Sequence, residues 1–285
     1  MIQKGTVSLQ RLVPTVLATC IACATPPAIA QSGPGARGGG DTVTLGVGMA
    51  VTASYQGASD YRIIPGGVLQ GTIKGHDFRL NGLQLFVDAL PNDARRRFDL
   101  ELGPVVGVNF NRSGDVSDPR VAALGKRDKA VELGVRGAIG LRGIAHRADK
   151  LALAVTGSWD VADAHRSHVI SPSLEYSTRA GRRTFLRAAL NAEFVGKRYA
   201  DYYFGIDAAG AVASGLGVWK PGGGLYSVGG NVLATHSLSS RRSGWSLFGI
   251  AGYKRLQGDI AASPIVRDTG SPNQGFASAG LAYTF

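Results

Sequence analysis

Apolar and polar residues alternate with a period of two along most of the chain after residue 41. In residues 130–142 one face is apolar and the other carries the charges. The apolar positions are Val131, Leu133, Val135, Ile139 and Leu141, and the charged ones are Glu132, Arg136 and Arg142. Because successive side chains of a strand point to opposite faces, this pattern predicts β-strands. No heptad and no sustained 3.6-residue period is present, so the chain is predicted to be all-β.

The predicted strands span about 10 to 14 residues, whereas strands of soluble proteins average ~5–6. They begin near residues 42, 62, 76, 97, 130, 150, 168, 183, 223, 243 and 275. Splitting residues 76–90 at Asn81-Gly82, a favoured hairpin pair, gives twelve strands. Twelve is an even number and places the long connections at one end of a barrel. Ten strands is the alternative.

The connections fall into a long and a short set. The first set, long except for the hairpin turn at 81–82, is predicted to form outer loops at residues 55–61, 81–82, 111–129, 161–167, 197–222 and 257–274. The short set is predicted to form inner turns at residues 74–75, 91–96, 144–149, 180–182 and 239–242. Long outer loops and short periplasmic turns are typical of outer-membrane barrels.

Three features favour a membrane barrel over a soluble one. The strands are long, an export signal precedes them, and the chain ends with apolar or aromatic residues at alternate positions, namely Leu281, Tyr283 and Phe285. This ending resembles the assembly signal of bacterial outer-membrane barrels, so the barrel assembly machinery is a predicted partner. In lipid every backbone polar group needs an internal partner, so residues 42–285 are predicted to form a closed antiparallel transmembrane barrel.

The N-terminus has the pattern of a signal peptide. Lys4 and Arg11 precede a mostly apolar run, and a small-x-small motif ends at Ala30. Cleavage after Ala30 would make Gln31 the first mature residue and leave residues 31–41 as a short flexible segment. A lipoprotein signal ending at Cys20 is the less favoured alternative.

Composition and charge exclude several classes of protein and of partner. Both cysteines of the 285 residues lie in the predicted signal peptide, which leaves no disulfide or thiolate in the mature chain. The 41 glycines follow no G-X-Y period, which excludes collagen. The formal net charge is +11, but the basic residues are scattered. Nucleic acid is therefore not predicted as a partner, and we interpret the charges as solvated turn residues.

Two histidine patterns are candidates for a metal site or a catalytic site. His165 and His168 lie in one outer loop with acidic neighbours and could bind a divalent metal, but a solvated loop is the favoured interpretation. His236-Ser237 suggests a hydrolase, yet adjacent strand residues point to opposite faces and cannot form a catalytic pair. No catalytic residue, metal or cofactor is predicted.

Two further groups leave alternatives open. Tyr202, Tyr203 and Phe204 would either contact a ligand or partner, or form an aromatic girdle at the bilayer interface with their loop packed in the barrel mouth. The lumen charges would either line a pore or neutralise one another and plug a narrow barrel. They are Glu101, Glu132, Arg136, Arg142, Arg187 and Glu193.

Several motifs in sequence order resemble the MipA/OmpV family of outer-membrane proteins. They are Tyr55–Arg62 followed by Pro65, Gly103–Val106, Val131–Gly134, Tyr199–Ile206, and 256–259 with Ser263–Val266. Ala58 stands where the family usually has Ser. The family-like loop residues are Tyr55, Gly57, Asp60, Tyr61, Pro65, Tyr202, Tyr203, Phe204, Gly205, Ser263 and Pro264.

The resemblance implies an outer-membrane β-barrel, surrounded by outer-membrane lipid, that is not an enzyme. It also implies a structural or interaction protein, a scaffold for peptidoglycan-remodelling enzymes with a murein hydrolase and a murein synthase as partners. A small-solute channel and a surface adhesin are the alternatives, and an outer-membrane hydrolase is the least favoured.

Overall fold

The fold is described from a computed structural model, which covers residues 40–91, 96–239 and 243–285. The predicted signal peptide, its cleavage site between Ala30 and Gln31, and residues 31–39 lie outside these ranges. The strands are β1 (Thr42–Ala53), β2 (Tyr61–Ile73), β3 (His76–Asn81), β4 (Gln84–Val87), β5 (Phe98–Asn109), β6 (Ala130–Arg142), β7 (Lys150–Asp160), β8 (His168–Ala180), β9 (Thr184–Val195), β10 (Gly224–Ser237), β11 (Gly244–Leu256) and β12 (Asn273–Thr284).

Short helices occupy the outer loops. They are α1 (Pro119–Ala123), α2 (Lys197–Phe204), α3 (Ala208–Ser214), α4 (Gly258–Ala262) and α5 (Pro264–Arg267). Among the residues that the structure describes, no helix has the length and apolar character needed to cross a membrane.

The twelve strands form one closed antiparallel barrel, in which each strand pairs with its neighbours in sequence and β1 pairs with β12. The closing register places Thr44 opposite Thr284 and Thr52 opposite Phe276. The predicted split of residues 76–90 is confirmed, because β3 and β4 form a hairpin whose turn contains Gly82 with a φ of 59°. The ten-strand alternative is therefore wrong.

The two faces of the wall have the predicted orientation. On β6 the side chains of Leu133, Val135 and Ile139 are 45%, 52% and 62% exposed on the outside, whereas Glu132 and Arg136 are buried inside the barrel. An apolar exterior of this kind is what a bilayer requires. The alternation in the sequence therefore places the charges in the lumen.

We expect Val135→Arg to destabilise the folded barrel in lipid by about 2–4 kcal/mol, because the guanidinium would lie near the middle of the bilayer. Urea unfolding from phospholipid vesicles measures the difference. Val161→Arg is the matched control, since Val161 is also exposed but lies in a loop beyond β7. Equal stability of the two variants would contradict the lipid-facing assignment of Val135.

The β3–β4 hairpin is shorter than its neighbours in the wall. Only Gln70–Ile73 of β2 pair with β3, so along residues 61–69 the described strands pair with β2 on the β1 side alone. Pro65 lies in this stretch. Proline cannot donate a backbone hydrogen bond, so it is best tolerated where a strand has one neighbour.

Candidate functional site

The outer end of the barrel is closed by loops that fold together, and we call residues 54–60, 110–129, 196–223 and 257–272 the plug. Two clusters of buried apolar side chains hold it. The first contains Val195, Tyr199, Ala200, Tyr203, Phe204, Tyr226, Leu256, Ile260 and Val266. The second contains Tyr55, Ala58, Val121, Ile206, Leu216 and Ile265. Since the first cluster includes the ends of β9, β10 and β11, the plug packs directly onto the wall.

Helix α2 supplies the aromatic centre of the plug. It begins after Gly196 and ends at Gly205, and its Tyr199 and Tyr203 are four residues apart and so lie on one face. Their ring centroids are 4.8 Å apart, and Tyr226 of β10 lies 5.7 Å from Tyr199. Burial raises the pKa of Tyr199 well above its usual value and also raises that of Tyr203. Both phenols therefore remain neutral at physiological pH.

Arg112 ties the second outer loop of the plug to α2. Its guanidinium donates to the carbonyl oxygens of Tyr203 at 2.8 Å, Gly125 at 3.3 Å and Val121 at 3.4 Å. The backbone of Arg112 has a φ of 56°, a left-handed conformation that a non-glycine residue rarely adopts. Burial, and then the charge of Arg127, lower the pKa of Arg112 to about 10, so it is still cationic at neutral pH.

Most of the family-like residues meet in this plug although they are far apart in the sequence. Ser263 is buried and donates from Oγ to the carbonyl oxygen of Phe204 at 2.8 Å. The carbonyl oxygen of Gly57 accepts from the backbone N–H of Ser271 at 2.9 Å, and the φ of Gly57 is 95°. Tyr55 packs in the second cluster. The motifs thus specify how the loops pack on one another.

The remaining family-like residues fasten or flank the plug. Asp60 accepts from Ser117 at 3.0 Å, and the hydroxyl of Tyr61 accepts from the backbone N–H of Gly275 at 3.0 Å. Pro264 is buried at the start of α5. Pro65 lies in the wall and is not part of the plug.

The aromatic-girdle interpretation of residues 202–204 is wrong. Tyr203 and Phe204 are fully buried inside the plug, away from both lipid and an external ligand. The hydroxyl of Tyr202 accepts from the backbone N–H of Asp128 at 2.8 Å, and the Arg127 guanidinium lies 5.5 Å from its ring centroid. The packing of this loop in the barrel mouth, which was part of that interpretation, is confirmed.

The side chains of His165 and His236 contact other protein groups. His165 is not in a solvated loop, as the sequence suggested, because its side chain is buried with Nε2 3.5 Å from Glu132 Oε1. Within residues 40–91, 96–239 and 243–285, no group of three or more His, Cys, Asp or Glu could hold a metal. His236 Nδ1 lies 3.0 Å from Thr184 Oγ1, whereas Ser237 donates to the carbonyl oxygen of Ser239. The predicted failure of this His–Ser pair to meet is confirmed.

The lumen charges pair across strands in the inner half of the barrel. Arg79 lies 2.7 Å from Glu101, and Arg136 and Arg187 lie 2.8 and 2.7 Å from Glu175. The network continues through Asp99, which contacts Arg142 at 3.0 Å and also Lys150. Pairing of these charges, which is part of the second alternative, is therefore observed.

Three members of this network were missed by the sequence reasoning: Arg79, Lys150 and Glu175. Each occupies a lumen-facing position of its strand. Arg136, for example, is the register partner of Gly103 on β5, whose alternate residues include Asp99 and Glu101. Extending the period-two assignment to every charged strand residue would have identified them.

A cavity of about 180 Å³ adjoins this network at the inner end. Its lining includes Arg79, Glu175 and Arg187 from the network, Phe185 from β9, and Arg147 from the β6–β7 turn. Because turn residues form part of its wall, the cavity opens at the end opposite the plug. We call it the inner cavity.

The C-terminal aromatic residues cluster at the inner end of β12. Tyr283 lies 5.2 Å from Trp245 and 4.8 Å from Phe285, measured between ring centroids. The backbone N–H of Phe285 donates to the carbonyl oxygen of Val43 at 2.9 Å, so the last residue still pairs with β1. Leu281 is exposed on the outer face of the same strand.

The chain is similar to one protein family and, remotely, to several solved structures. A family model described as MltA-interacting protein MipA matches residues 45–285. No curated protein shows a significant match. Among solved structures, OmpT of Vibrio cholerae is 8% identical, with 90% of this chain and 100% of that chain covered and a TM-score of 0.37. The COG4313 outer membrane channel from Pseudomonas putida F1 is 14% identical, with 90% and 100% covered and a TM-score of 0.40.

Proposed function

Because the chain belongs to the MipA family of outer-membrane β-barrels, we propose that it is a non-conducting scaffold for murein-remodelling enzymes. The family description names MltA as a binding partner, and MltA is a murein transglycosylase. The partners in this proposal are a transglycosylase of the MltA kind and a murein synthase, both bound at the periplasmic end. The protein itself has no catalytic role in the proposal.

The closed outer mouth is the observation that carries the proposal. A passive channel needs a continuous aqueous path, but here fully buried side chains of Tyr203, Phe204 and Tyr226 pack across the outer end. A filled mouth of this kind favours an interaction protein over a pore.

The periplasmic turns offer a basic surface to a partner. Six cationic side chains are exposed there: Lys74, Arg96, Arg97, Arg147, Arg182 and Arg183. In the described residues of the same turns, 74–75, 88–91, 96–97, 143–149 and 181–183, the acidic residues are Asp88 and Asp149, and both are buried. We call the six cations the basic rim. Complementary charge accelerates association and selects partners, so the rim fits an acidic face on the bound enzyme.

The test is direct binding of a purified MltA-type transglycosylase to the mature barrel in detergent, measured by biolayer interferometry. We expect the double variant Arg182→Gln and Arg183→Gln to weaken binding about tenfold, and added salt to weaken it further. The matched control is the pair Lys126→Gln and Arg166→Gln, which removes the same charge from exposed positions of the outer loops. No binding by the unaltered barrel, or equal losses in both double variants, would refute the scaffold at this surface.

We further propose that Phe285 acts in assembly more than in stability. Deleting it removes one interfacial aromatic, whose full burial is worth only about 1.5–3 kcal/mol, from a barrel closed by many interstrand hydrogen bonds. We expect low outer-membrane levels in cells but near-normal refolding from urea into detergent micelles. Heat-modifiable gel mobility reports both. Normal cellular levels would remove the assembly role, and failed refolding would make Phe285 structural.

A further inference from the structure

The ion-pair network of the lumen contains more cations than carboxylates. Five cations, Arg79, Arg136, Arg142, Lys150 and Arg187, face three carboxylates, Asp99, Glu101 and Glu175. The inner cavity is also lined by two further cations, Arg147 and Arg179, and by two further acidic residues, Asp77 and Asp149. With these included, the excess remains two positive charges.

The carboxylates of the network are each shared among several cations. Glu101 contacts Arg79 at 2.7 Å, Lys150 at 2.6 Å and Arg136 at 3.6 Å. Glu175 likewise serves both Arg136 and Arg187. The side chain of Arg136 is only 5% exposed, and that of Arg187 is 18% exposed. Cations withdrawn from water without full compensation are unfavourable, so the site favours a bound anion.

The inner cavity lies where such an anion could reach the network. Arg79 and Arg187 line its wall, and Arg147 stands at its opening. Its volume of about 180 Å³ leaves room for a phosphate or a short dicarboxylate. The basic rim around the opening raises the local concentration of anions.

We propose that the inner cavity binds a small dianion from the periplasm, carrying either two carboxylates or one phosphate group. Arg187 and Arg79 hold its charge, and Arg147 receives it at the entrance. This binding site goes beyond the scaffold function and does not depend on it, since no partner enzyme takes part.

Isothermal titration of the detergent-solubilised mature barrel tests the site, with inorganic phosphate and succinate as separate probes and acetate as the monoanion control. We expect saturable binding of at least one dianion and much weaker binding of acetate. Phosphate without succinate would identify a phosphate ligand, and succinate without phosphate a dicarboxylate. No saturable binding of either dianion would overturn the proposal.

Two variants with opposite charge changes test whether the network is responsible. Arg187→Gln should weaken dianion binding on the order of tenfold, whereas Glu175→Gln, which raises the positive excess, should strengthen it by a similar factor. Heat-modifiable mobility checks that each barrel is folded. If either fails to fold, Arg147→Gln at the exposed turn should weaken binding, with Arg166→Gln in an outer loop as its control. Unchanged affinity in every folded cavity variant would overturn the proposal.

Discussion

Replacing Arg112 by Ala is expected to loosen the plug by about 3–5 kcal/mol in the free energy of its local opening. The side chain is buried and donates to three carbonyl oxygens, those of Tyr203, Val121 and Gly125. Without it the carbonyl oxygens of Tyr203 and Gly125 lose this donor, whereas that of Val121 keeps the backbone N–H of Leu124 at 3.2 Å, and each unsatisfied buried group is unfavourable by about 1–3 kcal/mol. The left-handed backbone conformation of residue 112 would remain as unfavourable as before, because Ala tolerates a positive φ no better than Arg does.

Hydrogen exchange of the amides in α1 and α2 measures this opening, and limited proteolysis of the outer loops supports it. Arg120→Ala is the matched control, because Arg120 lies on α1 but is largely exposed, and its bond to the Asp268 carbonyl oxygen is at the surface. Its effect should stay within about 0.5 kcal/mol. Arg112→Lys should resemble Ala, since an ammonium cannot reach three acceptors with the geometry of a guanidinium. Unchanged exchange in Arg112→Ala would show that apolar packing alone holds the plug.

Removing α2 and α3 is expected to change the barrel from silent to conducting. Residues 197–222 can be replaced by an Asn-Gly turn, because Val195 and Gly224 on either side are register partners in β9 and β10. The deletion removes Tyr199, Ala200, Tyr203 and Phe204, four of the nine residues of the first apolar cluster. Planar-bilayer recordings should show stepwise currents that the unaltered barrel lacks.

The control for this experiment is Val212→Asp, which changes an exposed residue of α3 and should leave the bilayer silent. Heat-modifiable mobility confirms that the deleted protein still forms a barrel. A folded but silent deletion variant would mean that the lumen network closes the barrel below the plug as well. Currents in the unaltered barrel would instead favour the channel over the scaffold.

The wall of the barrel could be derived from the sequence because the forces that form it are local. Side-chain alternation has a fixed period of two, so Val135 and Arg136 had to face opposite sides once β6 was recognised. The turn at Asn81-Gly82 has its own local conformational preference, and together with the even number of strands it predicted the β3–β4 hairpin. The position of Leu281, Tyr283 and Phe285 on one face of β12 likewise follows from the period of two alone.

The plug and the lumen network were decided only by the tertiary structure. Aromatic residues such as Tyr203 and Phe204 are compatible with a girdle, a binding loop and a buried core, so their identity does not distinguish the three. What buries them is contact with residues distant in sequence, such as Ser263. The lumen pairs likewise depend on the stagger of neighbouring strands, which brings Arg136 of β6 to Glu175 of β8 across an intervening strand. Alternation identifies the face of a side chain, but the closed barrel determines which charges meet on that face.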